Sequence, residues 1–294
     1  MRLLMLGGTK YIGRYVVEDA LAAGHDVTVF HRGRTGKDLF PEVPRLVGDR
    51  DGDLSALTTG TWDAVLDFSG FEPGEVTATA ELLAPRAGHY VFMSSIAVYP
   101  PSSQAGRTED AETITSPADA YGPLKAACER AAEAAMPGRS TAIRAGLVIG
   151  PGDPFGAFCA WAIAMAGAGE VPCAARPEQP LQTTDVRDLA AFMVRAATGP
   201  LPGIFNVVSP PTTFAELLET CRRVGGGTAT VRWNETENVD GFVVQPRDGS
   251  DDGVFQLSDS RARAAGYRPR PFAGTAADVI GWIRRARPTF TSPH

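Results

Sequence analysis

The chain has 294 residues, 44% of them hydrophobic and 21% charged, proportions of a soluble globular protein that exclude disorder, collagen and coiled coil. Its 28 Lys and Arg against 34 Asp and Glu give a formal charge of -6 without any basic run, so nucleic acid is not an expected partner. No apolar stretch approaches the roughly 18–20 residues that cross a bilayer, and no membrane partner is expected either.

In chain order, RLLML (residues 2–6) reads as a short buried strand rather than a signal peptide, because its apolar run breaks at two glycines. Tyr11 to Ala23 reads as a helix, with Ile12, Val16 and Leu21 on one face and Gly24 ending it. Strands follow at Asp26–His31, near Arg45–Val47 and at Ala64–Phe68, then a helix at Val76–Leu83 and a strand at Tyr90–Met93. An Ala-rich helix begins around Pro123 and is stopped by Pro137-Gly138, and a strand covers Ser140–Ile143. Short strands alternating with helices imply βαβ units, hence an α/β fold with a doubly wound parallel sheet of Rossmann type.

Beyond about Gly150 the rhythm changes. PGDPFG and VPCAARPEQP read as loops, Val186–Ala197 and Phe214–Val224 as helices, and Ile204–Val208 as a strand. Residues 225–253, rich in Gly, Asp and Asn, read as irregular, and Ala276–Arg285 as a last helix before a frayed end. The expected organisation is a nucleotide-binding core over residues 1–150, and a substrate-binding region over residues 151–294 with some segments returning to the core. Cys128, Cys159, Cys173 and Cys221 lack CxxC spacing and histidine partners, which suits free buried thiols in a reducing cytoplasm and no metal site.

Gly7-Gly8-Thr9-Lys10-Tyr11-Ile12-Gly13 lies between the first strand and the first helix, where a dinucleotide diphosphate docks. Gly7 turns the chain, Gly13 lets helix and strand approach, and the helix start offers unpaired N–H groups. After the second strand stands His31-Arg32-Gly33-Arg34, with no carboxylate to accept from a ribose 2′-hydroxyl. Arg32 suits a 2′-phosphate, so NADP is expected, with NAD as the alternative. Asp49 and Arg50, after the third strand, are candidates to line the adenine.

Ser94 and Ser95 put two hydroxyls at the carboxyl end of a strand, facing the ligand crevice of such sheets. Tyr121-Gly122-Pro123-Leu124-Lys125 sets a phenol and an ammonium four residues apart at a helix start, hence on one face. A nearby cation favours the phenolate and lowers the phenol's pKa. A serine hydroxyl can then hold a carbonyl or alcohol that exchanges its proton with Tyr121 while hydride moves at a nicotinamide.

GGTKYIG, SSIAVY and YGPLK together resemble the extended short-chain dehydrogenase/reductase superfamily, in its branch of NAD-dependent epimerase/dehydratase proteins. RAGLVIGP (144–151), DVRDLA (185–190) and SDSRA (258–262) extend the resemblance along essentially the whole chain. It implies a nicotinamide cofactor, Ser95, Tyr121 and Lys125 as proton-handling residues, Lys125 also on the nicotinamide ribose, and Phe68, Ser69 and Gly70 flanking the cofactor. A homodimer through the Tyr121 helix is a further expectation of the family. Lys10 departs from the family's middle glycine, and the GGTxxIG form also resembles a subgroup that includes RNA-binding chloroplast stem-loop-binding proteins. Leu181 stands where nucleotide-sugar enzymes commonly carry an Arg for the substrate diphosphate, and Leu147 where they often carry an Asn. Arg247 and Arg232 are the remaining candidates for that diphosphate, while Phe155, Phe158, Trp161, Ala162 and Met165 form an apolar stripe that reads as core or pocket. The leading expectation is therefore an NAD(P)-dependent oxidoreductase acting on a carbonyl or secondary alcohol of a small, partly apolar molecule. The alternatives are a nucleotide-sugar epimerase or dehydratase, and a non-catalytic nucleotide- or RNA-binding module.

Overall fold

A computed structural model of the chain describes residues 1–234, 236 and 246–290. The first half runs β1 (Arg2–Leu6), α1 (Tyr11–Ala22), β2 (Asp26–His31), β3 (Arg45–Val47), β4 (Trp62–Asp67), α2 (Pro73–Leu83), β5 (Ala87–Ser95), α3 (Tyr121–Ala135) and β6 (Ser140–Ala145). The second half runs β7 (Leu147–Ile149), α4 (Ala157–Met165), β8 (Glu170–Cys173), β9 (Pro180–Leu181), β10 (Thr183–Asp185), α5 (Val186–Thr198), β11 (Gly203–Val207), β12 (Thr212–Thr213), α6 (Phe214–Gly225), β13 (Thr230–Trp233), α7 (Ser260–Ala264) and α8 (Phe272–Ala286).

The main sheet has seven parallel strands in the order β11-β6-β5-β4-β1-β2-β3. This is the expected doubly wound Rossmann-type α/β fold, and β11 is a late segment that returns to it. The direction of winding reverses between β1 and β4, which opens a crevice at their carboxyl ends. Register brings those ends level, with Leu6 beside Asp67 and Asp67 beside Phe92. Side chains of period two cover both faces. Leu3, Met5, Leu66, Val91 and Ile143 meet α1 and α5, while Leu4, Leu6, Val65, Tyr90 and Phe92 meet α2 and α3. Because α5 lies beside α1, the crossover from β6 to β11 has the opposite hand to the others. On the α3 side, β6 faces a buried polar network instead of a further helix.

A second core gathers Phe158, Trp161, Ala162 and Met165 of α4 with Phe214, Leu217 and Leu218 of α6 and Val279 and Ile280 of α8. The apolar stripe thus resolves as core, and only Phe155 of that set is exposed, at 54%. Two expectations fail in this region. VPCAARPEQP is not all loop, and residues 225–253 are not all irregular, because β8 and β13 pair in parallel from Glu170–Thr230 to Cys173–Trp233. Each strand is too short to show a period alone, and the partners lie 60 residues apart. The stripe itself forms α4, whose residues are apolar all round and so lack an amphipathic signature. Within the expected frayed end, the Phe290 ring lies edge-on to Trp282 at 6.3 Å and stands over Gly156. Residues 291–294 lie outside the described part, as do 235 and 237–245 of the irregular stretch.

Candidate active site

Gly7 and Gly8 take φ of +100° and +95°, a conformation that side chains rarely adopt, and they turn the chain sharply out of β1. Gly13 faces that turn so closely that a Cβ would lie 2.7 Å from Gly8 Cα and 2.9 Å from Gly8 N. Lys10 precedes α1 in ordinary extended backbone, φ -117°, and its side chain makes no capping bond. The departure from glycine at this position therefore costs the turn nothing, and the first N–H groups of α1 at Tyr11, Ile12 and Gly13 face the turn uncapped. Thr9 Oγ1 meets Thr35 Oγ1 at 3.0 Å, which folds the loop after β2 against the turn. Such a cradle, with its helix N-terminus open, fits a dinucleotide diphosphate. Tyr11 packs edge-on to Tyr15 at 6.2 Å, and burial holds its unpartnered hydroxyl well above the ordinary phenol range.

Arg32 is exposed at the open end of β2, and it makes no hydrogen bond or ion pair with the described residues. Asp49 sits in a short bridge with Asp53. Arg50 departs from expectation. Instead of facing an adenine, its guanidinium turns inward to Asp67 Oδ1 at 2.5 Å and Ser69 Oγ at 3.2 Å. A fully buried carboxylate at the end of β4 explains the turn, since an unpaired charge there would be costly.

Across the crevice, alternation along β5 separates the two serines. Ser94 points into the α3 face, where its Oγ bonds Glu129 Oε1, while Ser95 turns to the crevice. Ser95 Oγ accepts from Ala97 N at 3.2 Å and caps the 3-10 turn Ile96–Val98. Gly122 allows α3 to start against that turn, because a Cβ there would lie 2.1 Å from Ala97 O. Close docking brings the Tyr121 side chain up to Ser95, whose hydroxyl favours the phenolate, and leaves Tyr121 51% exposed to solvent.

Lys125, one turn further, is buried at 3% exposure. Its Nζ donates to Gly70 O at 2.9 Å and stands 4.2 Å from the centre of the Phe92 ring. Burial pushes its ammonium down to about 8, against the opposing pull of Asp67. The expected depression of Tyr121 by Lys125 does not occur. Burial raises the phenol above its ordinary value, the neighbouring Ser95 side chain works the other way, and the lysine is committed to Gly70. Phe68, Ser69 and Gly70 form the turn between the two halves, with Ser69 Oγ donating to Leu6 O at 3.2 Å and its Cβ 3.7 Å from where a Gly7 Cβ would stand.

Sequence reasoning missed Asp67, Tyr90, Glu129 and Arg144. Arg144 and Glu129 form a buried pair at 2.7 Å, extended by Arg144 Nη1 to Tyr99 Oη at 2.8 Å and Tyr99 Oη to Asn206 Oδ1 at 2.7 Å. A signal was available for two of them: a carboxylate closing the apolar run AVLD in β4, and the lone charge of STAIRA in β6. The diphosphate candidates are engaged elsewhere. Arg232 pairs with Glu170 at 2.6 Å, and Arg247 donates to Ala174 O at 3.2 Å and Asn234 O at 3.1 Å. Leu181 is fully buried.

A glycine cradle at the reversal point of a doubly wound sheet defines a Rossmann-type dinucleotide-binding protein. The NAD dependent epimerase/dehydratase family matches residues 74–207, a little under half of the chain. Chloroplast stem-loop binding protein of 41 kDa b from Arabidopsis thaliana is 32% identical over 114 residues, 33% of this chain and 30% of that protein. UDP-glucose 4-epimerase of Corynebacterium glutamicum is 32% identical over 148 residues, 42% of this chain and 44% of that enzyme. The matched stretches thus span less than half the length of these two relatives. Among solved structures, Thermus thermophilus UDP-glucose 4-epimerase in complex with NAD superposes with a TM-score of 0.74 at 22% identity, covering 97% of this chain and 100% of that one. A human epimerase family protein with NADPH gives 0.67 at 21%, covering 96% and 99%. At such identities these likenesses speak for the fold. No described helix is long and apolar enough to cross a membrane.

Proposed function

We propose that the chain is an NAD(P)-dependent enzyme that moves a hydride at a secondary alcohol or keto carbon of a sugar-nucleotide substrate, in the manner of an epimerase or dehydratase. The observation that carries the chemistry is the Ser95–Tyr121 hydroxyl pair beside Lys125 and the glycine cradle. The family and the named UDP-glucose 4-epimerases support the sugar-nucleotide substrate over net reduction of a small apolar compound, which composition and motifs had favoured.

The nicotinamide of a bound dinucleotide would accept and return the hydride. Gly7, Thr9, Lys10, Tyr11, Ile12 and Gly13 would hold its diphosphate, Arg32 a 2′-phosphate where NADP is the cofactor, Asp49 the adenine side, and Phe68, Ser69 and Gly70 the crevice between. Arg50 acts beneath the crevice through Asp67. Ser95 would orient the reacting oxygen, and Tyr121 would exchange its proton. With its phenol raised by burial, Tyr121 begins as the protonated acid. Lys125, half-charged near pH 8 and largely charged at neutral pH, would supply the positive charge that stabilises a phenolate once substrate and cofactor are in place. The core of α4, α6 and α8 would form the substrate side, residues 151–294, against a nucleotide core of residues 1–150. Four buried free thiols suit a reducing cytoplasm. A homodimer through α3 is the family's expectation.

A specific observation keeps the reductase as a second reading: fully buried Leu181 offers no guanidinium to a diphosphate. Incubating the purified chain with UDP-glucose and NAD, and separately with NADPH and a ketone panel, decides between them. Epimerised sugar without net NADH supports the first; stoichiometric NADPH loss supports the second. Absence of both, with cofactor bound, refutes hydride transfer and favours a binding module.

A further inference from the structure

Arg50 fastens one short segment at three points. Besides Asp67 and Ser69, its Nη2 donates to Glu75 O at 3.4 Å, in the first turn of α2. Asp67, fully buried, accepts from Tyr90 Oη at 2.7 Å and from Ser69 N at 3.0 Å. The turn leaving β4 is therefore held at its start, at its middle and where it enters α2. At its apex there is no slack: a Cβ on Gly70 would lie 2.6 Å from Val76 Cγ2, 2.7 Å from Phe92 Cε2 and 3.0 Å from Asp67 Oδ2. From that apex the Gly70 carbonyl accepts the Lys125 ammonium, and on the other flank Ser69 reaches Leu6, next to the glycine pair.

We propose that Arg50 and Asp67 are positioning residues for Lys125, fixing the turn whose Gly70 carbonyl holds its ammonium and setting the charge around it. The inference rests on the reading of Lys125 as part of the proton-handling set. Neutral side chains would hold a turn equally well, and a buried ion pair is a poor way to gain stability. What the pair adds is a fixed field at the lysine. The groups facing Lys125 are Asp67 from β4, Arg50 after β3, and Cys128 and Glu129 from its own helix. Asp67 and Glu129 favour the ammonium, and Arg50 opposes it more weakly than Asp67 supports it.

The chain has three lysines, Lys10, Lys37 and Lys125, so trace acetylation across a pH series, read by mass spectrometry on the cofactor-free protein, yields a titration for each. Asp67→Asn is expected to lower the Lys125 midpoint and Arg50→Met to raise it, each by about half a unit or more, with Lys10 and Lys37 unmoved. Shifts of opposite sign exclude a merely structural role, since loosening the site would move both variants upward towards an ordinary lysine. Unmoved midpoints, or movement in one direction in both variants, overturn the proposal. Should a single variant fail to fold, Arg50→Gln with Asp67→Asn leaves no unpaired buried charge. The midpoint is then expected to fall, because Asp67 outweighs Arg50, and a constant or raised midpoint refutes the role. No substrate or cofactor enters the measurement. A constant Lys125 titration thus overturns the positioning role alone, whereas full turnover by Tyr121→Phe overturns the proton-transfer reading of Tyr121 and leaves the Lys125 titration untouched.

Discussion

Gly13→Ala tests the phosphate turn directly. Gly13 occupies the third position of α1, where alanine would by itself stabilise the helix by about 0.5–1 kcal/mol. The new methyl, however, meets Gly8 Cα at 2.7 Å and Gly8 N at 2.9 Å. Both are backbone atoms of a turn tied to Phe30 O through Gly7 N at 2.9 Å, so neither yields as a flexible side chain would. Restoring ordinary contact requires a displacement of roughly 0.5–1 Å, and overpacking of this kind costs about 1–3 kcal/mol. The net expectation is a loss of zero to about 2 kcal/mol in stability. The turn shift should also weaken NAD(P)H binding by about 10- to 100-fold, because diphosphate hydrogen bonds are lost with small misplacements. Gly74→Ala is the control, since Gly74 is also helical, in α2, with nothing within 4 Å of its Cβ position. It should raise stability by about 0.5–1 kcal/mol and leave binding unchanged. Thermal denaturation and NAD(P)H fluorescence titration read both quantities. Wild-type affinity in a folded Gly13→Ala variant would refute the assignment of this turn to the diphosphate.

Tyr121→Phe should keep the folding midpoint and cofactor affinity while reducing kcat by about 100- to 10,000-fold, measured by single-turnover hydride transfer. Arg32→Ser should weaken NADPH binding by about tenfold or more and leave NADH unchanged, with competition titrations as the measurement. Arg144→Met strands the buried Glu129 carboxylate and should cost roughly 3–5 kcal/mol in denaturant unfolding, whereas Arg144→Met with Glu129→Met should cost less than the single change. His89, 1% exposed and 2.7 Å from Thr141 Oγ1, is pushed down by burial to about 4. Its unfolded value lies near 6.5, so the contribution is fully present above that pH and is lost as the pH falls towards 4, up to about 3 kcal/mol. His89→Gln should flatten that slope, and the His89 ring should show no protonation step between pH 5 and 8 by NMR.

The core strands were legible because each is apolar along its length and bounded by turn residues, and the glycine turn and Tyr121–Lys125 pair were legible because their spacing is local. Ser95 was separable from Ser94 in principle: with Val91 and Met93 facing one layer, period two sends Ser94 to the other. What stayed hidden depends on distance along the chain. The β8–β13 pair joins strands of four residues each, with no period of their own. Arg50 reads as a candidate to line the adenine until β4 places Asp67 beside it. The misjudged effect of Lys125 on Tyr121 has the same origin, for i,i+4 spacing puts both on one helix face but cannot reveal the Gly70 carbonyl that takes the ammonium.

These long-range contacts converge on α3. Its first turn is pressed against Ala97 by Gly122, its second is anchored to Gly70 through Lys125, and its third is locked to β6 by Glu129 and Arg144. Glu129 also takes Ser94, the neighbour of Ser95 on β5, so one carboxylate ties together the strand that carries the serine and the helix that carries the phenol. The hydroxyl pair thus sits on two rigid elements joined by a buried, well-satisfied network, with positions set before any substrate arrives. Such preorganisation is what proton transfer at a reacting oxygen requires, since a displacement of about 1 Å between donor and acceptor is enough to cost around two orders of magnitude in rate. The open side is the complement of this arrangement: Tyr121 and Phe71, whose ring centre lies 5.3 Å from the Lys125 ammonium, are each about half exposed to solvent while the network behind α3 is buried.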